Sequence, residues 1–127
     1  MRSEEKGHNL SLGAQGEEIA VAFLEGRKFK VLERNFRCKG GEVDIVARDG
    51  RTLIFIEVKT RRTLEFGPPQ AAVTPFKQRQ ISKAALTWLA KNRLTEAPAR
   101  FDVVAVLLRV GAAPFIEHIP NAFDLAY

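Results

Sequence analysis

Cysteine, histidine and long apolar runs are what this sequence has least of, and each shortage closes off a class of function. Cys38 is the one cysteine, which excludes an internal disulfide and any zinc site built on several thiolates. His8 and His118 are the two histidines. The first lies in a polar stretch and the second in a late strand pattern, with no ligand spacing between them, so both read as incidental. No apolar run approaches the roughly 20 residues that cross a bilayer, and the opening Met-Arg-Ser-Glu-Glu-Lys-Gly-His has no apolar core of a secretory signal. A cytoplasmic protein with no membrane partner is the expectation. Internal repeats and low-complexity segments are missing as well.

What is present fits one globular domain. A chain of 127 residues buries a real core but is short for two domains, so residues 1–9 are expected as a flexible polar tail and 10–127 as a single domain. Hydrophobic residues make up 46% and charged residues 28%, a balance that argues against disorder. Lys and Arg outnumber Asp and Glu by 20 to 15, for a net charge of +5. That excess is compatible with a polyanionic partner and says nothing about fold.

The stretch from Gly41 to Arg62 organises the rest. Two β-rich runs flank Asp49-Gly50, a strong signal for a two-residue hairpin turn. With Asp49 and Gly50 as the loop, Arg48 opposes Arg51, Asp44 opposes Phe55 and Glu42 opposes Glu57. Strand side chains alternate between faces, so Glu42, Asp44, Phe55, Glu57 and Lys59 are expected on one face. Val43, Ile45, Ala47, Ile54, Ile56 and Val58 are expected as core on the other. Asp44 would then lie diagonal to Glu57 at roughly 7–8 Å. Like charges that near each other repel, and a divalent cation would explain them. Charges alternating with Ile and Val are equally the ordinary appearance of a half-solvated antiparallel strand, so the residues alone leave both readings open.

Around the hairpin the pattern is α/β. Apolar residues Leu12, Ile19, Ala20, Phe23 and Leu24 recur at helical spacing from about Leu10 to Glu25, with Gly13 and Gly16 on the same side allowing close approach to a sheet. Glu18 falls on the solvent side, while Glu17 lies at the margin of the stripe, able to reach toward the sheet and equally suited to be a surface carboxylate near a helix N-terminus, where the dipole favours it. Phe29 to Phe36 reads as a strand within a basic run of Arg27, Lys28, Lys30, Arg34, Arg37 and Lys39. That run suits either a charge-guarded edge strand or a phosphate-contacting surface. Thr63 to Val73 reads as a loop around Gly67-Pro68-Pro69. Thr74-Pro75 then starts a helix that buries Ile81, Ala84, Ala85, Trp88 and Leu89 and exposes Lys77, Arg79, Lys83 and Lys91. Phe101 to Arg109 is a strand covered on both faces, Phe115 to Ile119 is a short further strand, and Asn121 to Tyr127 is a last turn or tail. Helices flanking a mixed sheet of about five strands are expected.

Several strings carry a resemblance. Gly13-Ala14-Gln15-Gly16-Glu17 with Ala20, Asn35 and Arg37, Gly41-Glu42-Val43-Asp44, Phe55-Ile56-Glu57-Val58-Lys59-Thr60-Arg61, Lys77 with Ala84, and Arg100-Phe101-Asp102-Val103-Val104 together resemble the YraN family of small bacterial proteins, over roughly Leu12 to Val106. That family is similar in turn to the restriction-endonuclease-like, or PD-(D/E)xK, nucleases, with archaeal-type Holliday junction resolvases as close analogues. Val43 stands where the nuclease motif often carries Pro. The resemblance implies a restriction-endonuclease-like fold and a Mg²⁺-dependent (or Mn²⁺-dependent) endonuclease acting on DNA, branched or otherwise structured DNA included. It implies Asp44, Glu57 and the Val58 carbonyl as metal ligands, Lys59 as the residue orienting the attack, and Glu17 as the helix acid steering a water or second ion. Arg37, Lys39, Arg61, Arg62 and Lys77 would contact nucleic-acid phosphates, and resolvase-like relatives imply a homodimer. A nucleic-acid-binding domain that keeps the fold without catalysis is the alternative, and a scaffold module with merely solvated acids is a third reading.

Overall fold

A computed structural model describes residues 10–63 and 73–126. The expected tail at residues 1–9 and the Gly67-Pro68-Pro69 loop lie outside the described residues. Helix α1 spans Leu12–Gly26, followed by β1 (Lys30–Cys38), β2 (Gly41–Asp49), β3 (Thr52–Arg61), helix α2 (Pro75–Lys91), β4 (Ala99–Leu107) and β5 (Phe115–Phe123). The strands form one five-stranded sheet in the order β1-β2-β3-β4-β5. All neighbours are antiparallel except β3 and β4, which run parallel and are linked by the α2 crossover. The mixed α/β sheet of about five strands is therefore as expected. No helix among the described residues is long and apolar enough to cross a membrane.

Both helices start where short polar side chains can satisfy free amides. Ser11 Oγ accepts from the Ala14 N–H at 3.1 Å, and Thr74 Oγ1 accepts from the Lys77 N–H at 3.2 Å, with Pro75 in the first helical position. Each helix covers one face of the sheet. Ala20 and Leu24 of α1 pack on Ile45, Ala47, Ile54, Ile56, Val104 and Val106. Ile81, Ala84, Ala85, Trp88 and Leu89 of α2 pack on Phe36, Val43, Val46, Leu53, Phe55 and Val103.

Two expectations about the hairpin are corrected. The β2–β3 loop is Gly50-Arg51, with Asp49 paired to Thr52 and Ile45 to Ile56. Only Gly50 in this turn has a positive φ, +61°, and it occupies the first central position, as in a type II′ turn. The shift is two residues, so faces are kept but Asp44 rises to the level of Glu57. Val43 also leaves the face of Ile45 and joins the α2 side. The change falls between the paired steps Arg34–Ile45 and Phe36–Val43, where Asn35 and Asp44 do not pair. Asn35, inside that interval, takes φ +56°, a conformation Asn tolerates better than most residues.

The late strands differ too. β5 runs to Phe123, past the expected end at Ile119, because its register slips opposite Asp102. Asp102 is fully buried and His118 is far from incidental. Asp102 accepts from Arg100 Nε (3.0 Å) and Nη2 (3.2 Å) and from the Asn121 N–H (2.9 Å), and lies 2.7 Å from His118 Nε2. Burial raises the Asp102 pKa, but these bonds from His118, Arg100 and Asn121 outweigh it and hold the carboxyl below its usual range. Asp102→Ala is expected to cost about 3–5 kcal/mol, since it leaves the largely buried His118 side chain and the partly exposed Arg100 without their shared acceptor; urea denaturation measures it.

Gly41 makes the tightest helix–sheet approach that backbone atoms define. A Cβ there would lie 2.6 Å from the Gln80 carbonyl oxygen and 2.8 Å from the Ala84 nitrogen, neither of which can swing aside. Gly41→Ala should destabilise by about 1–3 kcal/mol. Gly13→Ala, with nothing within 4 Å of the added methyl, should be neutral or mildly stabilising. Thermal unfolding of the two variants side by side checks the contrast.

Candidate active site

The site forms where β2 parts from β3. Their ladder ends at Ile45–Ile56, and beyond it the Asp44 side chain takes over: Oδ2 accepts from the Val58 N–H at 2.8 Å. That bond fixes Asp44 at the fork instead of letting it point to solvent. Glu57, one residue before Val58, faces the α2 side and is only 3% exposed. The two carboxyls are neighbours at the fork, and each shifts the proton affinity of the other.

This arrangement is electrostatically costly. Burial pushes the Glu57 pKa up to about 7, and the charge of Asp44 adds to the rise, against the opposing pull of Lys77 and Lys59. Burial also raises the Asp44 pKa, opposed by the Val58 N–H, the Glu57 hydrogen bond and Lys77. Lys59 Nζ lies 3.4 Å and Lys77 Nζ 3.9 Å from Glu57 Oε2. Glu57 Oε1 is buried and has no hydrogen-bond partner among the described residues.

Glu17 reaches the same region from α1. With Asp44, Val58, Arg34 and Asn35 it lines a cavity of about 390 Å³, and its charge helps raise the Asp44 pKa. Its own carboxylate is engaged by Arg34, at 2.9 Å from Nε and 2.7 Å from Nη2, and by Asn35 Nδ2 at 3.0 Å. Arg34 also binds Glu18 Oε2 at 2.8 Å, so Glu18, expected to be merely solvated, is part of this clamp. Among the described residues no three Asp, Glu, His or Cys side chains come together as a metal-ligand set. The acids that the fork sets side by side are Asp44 and Glu57.

Lys77 belongs to this cluster, a role that its expected place on an exposed basic surface did not suggest. Its side chain is 24% exposed and its Nζ is also 3.6 Å from Glu42 Oε1. The sequence carried one signal: a lysine in the first turn of α2 opposes the helix dipole, so nearby acids must offset it. Of the other basic residues expected at nucleic acid, Arg37 is exposed and 3.8 Å from Glu42, Lys39 and Arg62 are exposed, and Arg61 is half-buried.

The model of "Uncharacterised protein family UPF0102" matches residues 16–106. The chain belongs to the UPF0102 (YraN) family. The matched span of this UPF0102 chain includes Glu17, Asp44, Glu57, Lys59 and Lys77. It is 70% identical to a UPF0102 protein of Geotalea uraniireducens over 127 residues, all of both chains. With a UPF0102 protein of Syntrophus aciditrophicus the identity is 51% over 119 residues, 94% of this chain and 93% of the relative. With one of Rhodococcus opacus it is 46% over 116 residues, 91% and 98%.

The raised Glu57 pKa sets a pH dependence. Between its ordinary value of 4.5 and about 7, the folded protein holds a proton that the unfolded chain has released, so stability is full at low pH and falls as pH rises through that window. For the metal-free protein the loss from pH 4.5 to 8 should be on the order of 1–3 kcal/mol. Glu57→Gln should flatten the profile and be the more stable form at pH 8. Chemical denaturation across this pH range checks both.

Proposed function

We propose that this chain is a divalent-metal-dependent endonuclease that hydrolyses phosphodiester bonds in DNA, with branched or otherwise structured DNA within its range. One observation carries the reading: two carboxyls from adjacent strands are held together at a fork, and one oxygen of the buried member, Glu57 Oε1, has no hydrogen-bond partner among the described residues. A fold built only for stability gains nothing from that. The donor set suits a small hard cation, since Mg²⁺ takes one or two carboxylates and keeps several waters. Asp44, Glu57 and the Val58 carbonyl would hold Mg²⁺ or Mn²⁺. When bound, such an ion supplies charge neutralisation at the scissile phosphate and acidity to water.

The remaining work falls to this chain's own side chains. Lys59 Nζ, 3.4 Å from Glu57, donates hydrogen bonds that orient the attacking water and stabilise charge building on the phosphate. Glu17, braced by Arg34 and Asn35, presents a fixed negative charge in the cavity that it lines with Asp44. Arg37, Lys39, Arg61 and Arg62 contact backbone phosphates, and Lys77 offsets the acids before substrate arrives. The reading includes a restriction-endonuclease-like fold, a cytoplasmic setting and a homodimer, since cutting two strands calls for two sites. A second reading has its own support. Lys59 and Lys77 already offset Glu57, which suits a nucleic-acid-binding domain without catalysis.

Cleavage of supercoiled, branched and single-stranded DNA with Mg²⁺ or Mn²⁺ separates the two. Asp44→Ala and Lys59→Ala are each expected to lower the rate about 100-fold or more, and Asp44→Ala to abolish Mn²⁺ binding measured by calorimetry. Residual cleavage equal in wild type and both variants, or DNA binding with neither cleavage nor Mn²⁺ uptake, would overturn the nuclease reading.

A further inference from the structure

On the outer side of α2, a groove of about 430 Å³ runs between that helix and the β1–β2 turn. Its walls include Phe76, Arg79, Lys83 and Leu86 from the helix and Gly40 from the turn. Two features of it are unexplained by folding. Phe76 is 62% exposed and Leu86 44%, although the core on the other side of α2 is complete. Arg79 and Lys83 are exposed, and among the described residues no carboxylate lies within ion-pair distance of either. The side chain of Lys83 lies across Gly40, next to the exposed Lys39. The groove thus combines an aromatic face with basic walls.

It begins beside the Lys77 edge of the candidate active site. Phe76 immediately precedes Lys77, whose Nζ is 3.9 Å from Glu57. Gly40 on the opposite wall is two residues before Glu42, which is 3.6 Å from the same ammonium. A strand with a phosphate near Lys77 is one residue of α2 away from Phe76 and the groove.

We infer that this groove binds an unpaired stretch of nucleic acid, a base stacking on Phe76 and phosphates meeting Arg79, Lys83 and Lys39. The occupant follows from the chemistry. The basic walls call for a polyanion, and a ring this open stacks on a base face that a continuous duplex keeps covered. The inference deepens the proposed function and rests on its nucleic-acid part: the substrate carries a single-stranded segment next to the bond that is cut.

The test is fluorescence anisotropy with a labelled oligothymidylate of about 15 nucleotides and a duplex of the same length, both without divalent metal. Phe76→Ala should weaken single-strand binding about 5- to 100-fold and lower the ratio of single-strand to duplex affinity. Arg79→Gln and Lys83→Gln should each reduce the slope of log affinity against log salt by about 0.7. Phe76→Trp should keep the affinity, and its exposed indole should be quenched on binding, a signal that a purely structural role for Phe76 would not produce. Unchanged single-strand affinity in Phe76→Ala, or no quenching of Phe76→Trp at saturation, overturns the inference. So does conversion of a dimer to a monomer by Phe76→Ala, which would give the groove to a second copy of the chain. The outcome stands apart from the nuclease reading. Loss of single-strand binding in Phe76→Ala supports the groove even if no DNA is cut, and cleavage lost in Asp44→Ala supports the nuclease even if Phe76→Ala binds normally.

Discussion

The mutual repulsion of Asp44 and Glu57 is the constraint on which the rest of this structure turns. Burying two carboxyls side by side disfavours the charged form of each, and the fold surrounds them with compensation. The Val58 N–H binds Asp44, Lys59 comes from the same strand as Glu57, and Lys77 comes from the crossover helix α2. Glu42 in turn holds Lys77. Glu17 adds negative charge from α1 while Arg34 and Asn35 absorb most of it.

The backbone is shaped to the same end. A regular antiparallel pair would send Val43 and Ile45 to one face and carry the ladder past Asp44. The left-handed turn at Asn35 instead kinks β1 and β2 together, so that Arg34 and Ile45 serve the α1 side while Phe36 and Val43 serve the α2 side. Asp44 sits in the interval, open to both helices, with its carboxylate replacing a ladder acceptor. Asn35 links the kink to α1 through Glu17, so one residue both bends the sheet and ties the helix acid to the fork.

Much of this could be read before any coordinates. Alternation put Glu57 and Lys59 on one face and Ile54 and Ile56 on the other, and Thr74-Pro75 marked the start of α2. Asp49-Gly50 marked the turn, but a glycine can occupy either central position, and only the register, with Asp49 paired to Thr52, decides between them. The kink at Asn35 escaped because alternation assumes an uninterrupted strand. The inclusion of Lys77 in the site and the Asp102–His118 network escaped for another reason. Each joins residues from different elements, 20 apart for Glu57 and Lys77, and depends on how a crossover and an edge strand settle in three dimensions. Local pattern carries no information about that.

The parallel pairing of β3 with β4 bears on how the molecule is assembled. The β1–β2–β3 meander is contiguous, its turns close short loops, and contacts of that kind form early. The β3–β4 ladder must wait for a segment of more than thirty residues, α2 included, to fold back over the sheet. Lys77 travels with that segment. The chain therefore brings its two acids together through nearest-neighbour contacts and supplies the remote ammonium only on closure, so the order of assembly leaves the acids dependent on Lys59 and solvent until the last long-range contacts are made.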